Sequence, residues 1–146
     1  MLKSKFIIWL NVSILICSFS SVASVDIVNL ENGLVAWRHV IEGTSSATRD
    51  SGLIVYLLIW PNETNGPWYN HPTATFTDGD WRINAEFGMD PDNSLIDVGH
   101  TYQIVVMMAN RSLMDVKTFP ASVIRDIPQI NKSREITVTR TDQKHS

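Results

Sequence analysis

The chain has 146 residues, with 12 basic and 15 acidic side chains and a single cysteine, Cys17. That length suits one domain. The mild acidity excludes a nucleic-acid binder that works through a basic patch, and a lone cysteine excludes an internal disulfide or a thiolate metal site.

The N-terminal segment has the order of a secretory signal. Lys3 and Lys5 come first, then an almost wholly apolar run from Phe6 to Cys17, then small residues from Ser18 to Ser24. Cleavage after Ala23 and cleavage after Ser24 both fit, and residues 1–24 are assigned to the signal. An uncleaved anchor is the alternative, and the only route to a membrane. The apolar run is short, however, against the roughly 20 residues that a bilayer requires. Lipidation at Cys17 is disfavoured by the bulky Ile16 before it. Removal of residues 1–24 takes Lys3 and Lys5, leaving ten basic and fifteen acidic side chains, a net charge of −5. The expected location is secreted or extracytoplasmic, in the periplasm or on the cell surface.

Short apolar segments separated by turn signals then predict an all-β domain over residues 25–141, followed by a polar tail at 142–146. Val25 to Leu30 is a first strand, ended by Glu31-Asn32-Gly33. Leu34 to Glu42 is a second, ended by Gly43-Thr44-Ser45-Ser46. Leu53 to Trp60 is apolar throughout, and its β-branched and aromatic content with the following Pro61 marks a central strand covered on both faces. Asp78-Gly79 predicts a two-residue hairpin turn, because both central positions favour positive φ. The register follows: Phe76 faces Trp81, Ala74 faces Ile83 and Pro72 faces Ala85 on an apolar face. Thr77 faces Asp80, Thr75 faces Arg82 and Thr73 faces Asn84 on a polar one. Tyr102 to Met108 is another central strand. Residues 110–133 are irregular, with a helical turn near Ala121 to Arg125. Glu135 to Arg140 is the last strand, for seven or eight strands in all.

Trp68-Tyr69-x-x-Pro72, Asp78-Gly79-x-Trp81, Phe87-Gly88, Gly99 with Tyr102-x-Ile104, and Ile136-Thr137-Val138-Thr139-Arg140 together resemble an immunoglobulin-like β-sandwich module of exported bacterial and archaeal envelope proteins. The resemblance spans roughly residues 26–141. It implies an immunoglobulin-like sandwich of mainly antiparallel strands. It implies no particular activity, since the function of such modules is mostly unassigned.

The chemistry-bearing residues point to binding more than to catalysis. There is no Gly-x-Ser-x-Gly elbow and no histidine pair at metal-ligand spacing among His39, His71, His100 and His145. No cofactor is expected. Asp90, Asp92 and Asp97 place oxygen ligands at near-alternate positions that suit calcium, but Pro91 interrupts them and a solvated acidic loop is the simpler reading. The hairpin register turns Trp81 inward, and Trp37 and Trp60 lie in apolar strands. Trp68 and Tyr69 are left as candidate surface rings beside His71, and their strand parity sends at most one of them to the core. Asn62, Asn110 and Asn131 head Asn-x-Ser/Thr acceptor patterns for glycosylation. The function expected is a non-enzymatic module that binds a protein or glycan partner. One alternative is a structural envelope protein with an apolar edge near Leu113 and Met114. Another is a small hydrolase using Asp78, Asp80 or Asp90.

Overall fold

A computed structural model of the protein describes residues 24–30, 32–46, 52–72, 75–77, 79–89, 95–127 and 132–142. The segment up to Ala23 expected to be a signal, Asp78, Asp90, Asp92, Asn131 and the last four residues of the tail lie outside them. The described strands are β1 (Val25–Ile27), β2 (Leu34–Val35), β3 (Arg38–Ser45), β4 (Leu53–Pro61), β5 (Trp68–Pro72), β6 (Thr75–Thr77), β7 (Asp80–Glu86), β8 (Thr101–Asn110), β9 (Thr118–Phe119) and β10 (Ile136–Arg140). One short helix, α1 (Val123–Asp126), falls where a helical turn was expected. Among the described residues no helix is long and apolar enough to cross a membrane.

The strands form two sheets, ordered β1-β3-β7-β6 and β2-β10-β8-β4-β5-β9. Every pairing is antiparallel except that of β2 with β10. The hairpin register is as the Asp-Gly turn demands, with Phe76 opposite Trp81 and Thr75 opposite Arg82; Gly79 supplies a φ of 87°. It does not extend to Pro72, however. That residue sits in β5 opposite Tyr56, in the other sheet, so the chain changes sheets between Pro72 and Thr75. Residues 34–42 likewise make two strands, not one. β2 joins β10 in one sheet and β3 joins β1 and β7 in the other, with Ala36 and Trp37 crossing between them. The crossing is fixed where Phe87 N–H donates to the Trp37 carbonyl at 2.7 Å.

Gly43 was expected to begin a turn, yet it lies inside β3. A Cβ there would fall 2.1 Å from the Trp81 ring and 2.0 Å from the Asp26 carbonyl oxygen. Glycine marks a close approach here, not a chain reversal. Trp81 is 2% exposed, and its indole N–H donates to the Thr44 carbonyl at 3.0 Å. Around it Ile41, Ile83, Ala85 and Phe87 from the β3–β7 side meet Leu57, Ile104, Val106 and Val138 from the facing sheet in one core. Burying each large side chain contributes roughly 1.5–3 kcal/mol, so this layer supplies the main driving force.

The six-stranded sheet is also covered on its other face. Tyr56, Leu58, Trp68, Val105, Met107 and Ile124 form a second buried cluster. Phe119, Val123 and Ile127 close over it from the irregular segment after β8. Two dry faces explain why β4 and β8 read as continuous apolar runs. Leu113 and Met114 pack against this cluster half-buried. They are therefore part of a covering layer and form no exposed apolar edge.

Candidate binding cleft

Strand parity separates the two aromatic candidates. Trp68 is 4% exposed and turns into the second core, 5.4 Å from the Trp60 ring, with its indole N–H donating to Ala121 at 3.4 Å. Tyr69 points the opposite way and is 45% exposed. His71, two residues on, shares the Tyr69 face. Their cross-strand partners Ile59 and Leu57 belong to the inter-sheet core. Tyr69 and His71 therefore stand at the open flank between the sheets.

They line a cleft of about 450 Å³ with Ile59, Pro61, Glu63, Glu86, Met89 and His100. Its floor is the corner that joins β7 to β8. Arg140, at the end of β10, is 2% exposed and donates to the Asp97 carboxylate at 3.2 Å and to the Met89 carbonyl at 3.1 Å. The Met89 N–H donates to the same Asp97 oxygen at 2.6 Å. Gly88 has a φ of 82°, and a Cβ there would come within 2.7 Å of Asp97, Arg140 and Tyr102 alike. The Phe87 and Tyr102 rings meet edge to face at 5.5 Å. Burial pushes the Tyr102 phenol up, assisted by the Asp97 carboxylate and opposed by Arg140.

The turn after β4 closes the cleft on one side. Asn62 Nδ2 donates to Thr101 Oγ1 at 2.9 Å, and Thr101 N–H donates to Glu63 Oε1 at 2.8 Å. That backbone hydrogen bond holds the Glu63 carboxyl below the usual carboxylate range, against a smaller opposing effect of burial. Burial pushes the His71 imidazole down, with the Tyr69 backbone and the Glu86 carboxylate opposing. Among the described residues, buried His71 Nδ1 has no partner in hydrogen-bond geometry.

The other candidates lie elsewhere. Asp97 is 8% exposed and committed to Arg140, Met89 and His100, so its oxygens serve the corner. Among the described residues no cluster of three His, Asp or Glu side chains is placed to hold a metal ion. Asp80 begins β7 and does not line the cleft. Asn62 is exposed in the turn beside the cleft, and Asn110 is exposed at the end of β8, where its side chain accepts from the Ser112 N–H at 3.0 Å. Glu63, Glu86 and His100 escaped the sequence reading. Glu63 comes from the turn after β4, Glu86 from the last position of β7 and His100 from the connection before β8, and only the Gly88 after Phe87 hinted at a special corner. No protein-family profile matches the chain, and no curated protein matches it either.

Proposed function

We propose that this chain is an exported, non-enzymatic immunoglobulin-like module that binds a protein or glycan partner through the cleft beside Tyr69 and His71. The strand order supports the fold: β1-β3-β7-β6 follows the A-B-E-D order of that class, and β10-β8-β4-β5 follows its G-F-C-C′ order. One observation carries the function. A recess of about 450 Å³ brings an exposed tyrosine, two histidines and carboxylates together at an otherwise well-packed flank. Tyrosine suits such a role, since its rigid ring gives contact area at little entropic cost.

Of the acids expected for a hydrolase, Asp80 lies away from the cleft, and the cleft offers a different pair: His100 Nδ1 sits 3.4 Å from Asp97 Oδ1, as a base and its orienting acid would. The other Asp97 oxygen is already spent on Arg140 and Met89, and no hydroxyl among the described residues is hydrogen-bonded to His100. A base without a nucleophile weighs toward binding.

A photoreactive phenylalanine analogue at position 69, introduced into the protein in its native cells, tests the reading. A discrete crosslinked species is expected from position 69 and none from position 84, where Asn84 faces outward on β7. Equal yields from both positions, or none from either, defeat the cleft assignment. Export is tested separately by the N-terminal residue of the isolated protein. A chain that retains residues 1–23 inside the cell defeats it.

A further inference from the structure

We infer that the cleft takes a cationic side chain, the ammonium of a lysine or the guanidinium of an arginine, presented by a protein partner and held between the Tyr69 ring and the Glu63 carboxylate. This inference rests on the cleft being the binding site and adds the chemistry of what enters it.

Three observations converge. The first is the balance of committed charge. Arg38 Nε is spent on Glu86 at 3.0 Å, and Arg140 is spent on Asp97 at 3.2 Å. Glu63 has no such partner: none of the ion pairs among the described residues includes it. Its Oε1 accepts from the Thr101 N–H and hydroxyl, at 2.8 and 3.3 Å, which anchors the group, and no side chain among the described residues donates to Oε2. An ionised carboxylate fixed by one oxygen is a preorganised acceptor, and charge-assisted bonds to such an acceptor are the strong ones.

The second is the ring. Tyr69 is exposed and lines the same recess as Glu63. Its hydroxyl lies over the turn that carries Glu63, 4.0 Å from where a Cβ on Gly66 would stand. The face of a tyrosine attracts a cation within about 6 Å of its centroid. Ring and carboxylate together offer one apolar-electrostatic wall and one ionic acceptor, which is what a long cationic side chain requires. The stem of such a side chain finds Ile59, Pro61 and Met89.

The third is the histidine at the back. Burial keeps His71 in its neutral form at ordinary pH, so it adds no competing positive charge. The other histidine of the recess, His100, has its Nδ1 engaged with Asp97. A neutral sugar would leave Glu63 Oε2 without a counter-charge. An anionic group would face Glu63, Glu86 and Asp97 together.

The test uses three peptides with acetylated N-termini and amidated C-termini, Gly-Gly-Lys-Gly-Gly, its arginine counterpart and its ε-acetyl-lysine counterpart, titrated into the isotope-labelled exported protein. Amide resonances of Glu63, Tyr69, His71 and Thr101 are followed. Both cationic peptides are expected to shift these resonances saturably, and the acetylated peptide is not. Glu63→Gln is expected to weaken binding about three- to fivefold, the upper range for an exposed ion pair. Tyr69→Leu is expected to weaken it by a smaller factor. Glu63 is exposed, so the unchanged remainder of the amide spectrum reports that the variant folds, and Tyr69→Leu gives a second, independent arm. Equal shifts from the acetylated peptide, or unaltered affinity in Glu63→Gln, overturn the inference. So does a neutral oligosaccharide that shifts the cleft resonances where the cationic peptides do not. In that last case the cleft remains the binding site and only the cation is wrong. Silence of every probe, together with no crosslink from position 69, removes both.

Discussion

The two sheets solve the same problem differently. In β7 every second residue is buried, and Arg82, Asn84 and Glu86 stand in water. In β4 five consecutive residues, Val55 to Ile59, are buried. The four-stranded sheet thus needs one partner layer, and the six-stranded sheet needs two. Its second layer is the stretch from Arg111 to Ile127, which contains only short elements. The inter-sheet core should therefore be shared by the whole molecule, and the outer core should behave as a local unit. The largest effect expected tests the first half. Trp81→Ala removes the biggest fully buried side chain and should cost about 3–5 kcal/mol of unfolding free energy, read from the denaturant midpoint. A loss below about 1 kcal/mol would falsify the claim that this layer supports both sheets.

The second half is tested at Asn70. This residue is 8% exposed, and its Nδ2 donates to the carbonyls of Leu113 at 3.2 Å and Val116 at 2.8 Å. Its own N–H donates to Lys117 at 2.9 Å. One side chain in β5 therefore ties down the loop that covers the outer face. Asn70→Ala takes the side-chain donor from the Val116 carbonyl and leaves the Leu113 carbonyl with the Val116 N–H alone, for an expected loss of about 1–3 kcal/mol. Amide exchange should accelerate in residues 111–127 while β3 and β7 stay protected. Uniform acceleration across both sheets would show that the outer core is no separate unit.

The difference between the sheets also governs what could be read from the chain. The β6–β7 hairpin was legible because a turn signal and a period-two pattern agreed on one register. β4 and β8 were legible as central strands but silent about their cover, because an apolar run does not say what packs on it. Leu34 to Glu42 reads as one strand because Val35 and Ile41 are both buried, although one lies in each sheet. Gly43 misled for a related reason: its missing side chain makes room for Trp81, a residue 38 positions away. In the cleft, Tyr69 and His71 could be paired by strand parity. Glu63 could not, since its link to Thr101 spans 38 residues and runs through a backbone N–H. Arg140 was read as the end of a strand, and nothing local marks it as the buried partner of Asp97.

The third test is a slope. His71 is held neutral by burial, so its folded pKa lies below its unfolded value. The unfolded chain then binds the proton more readily. Stability is fully present above the unfolded value, about 6.5, and declines as pH falls below it. Thermal midpoints taken between pH 7.5 and 5 should fall with acid in the wild type. They should fall less steeply in His71→Asn. Parallel curves would mean that His71 titrates as freely in the folded protein as in the unfolded chain, and the cleft would then carry a cation of its own near pH 6.

The smallest effect expected concerns the wet face. Arg82 meets Glu42 at 3.1 Å, with side chains 62% and 44% exposed. Arg140 meets Asp97 at nearly the same distance, 3.2 Å, with side chains 2% and 11% exposed. Distance alone would rank these pairs as equals. Solvent separates them: an exposed pair contributes about 0–1 kcal/mol and is screened by salt, whereas removing one member of a buried pair costs about 3–5 kcal/mol because the other charge is stranded. Arg82→Ala should therefore lower the stability by less than about 1 kcal/mol, and the difference should shrink further in 1 M salt. A loss of several kcal/mol, insensitive to salt, would place Arg82 in a desolvated setting. The outer face of the four-stranded sheet would then be covered in the working protein, as the outer face of the six-stranded sheet is, and its alternating pattern would mark an interface instead of a surface.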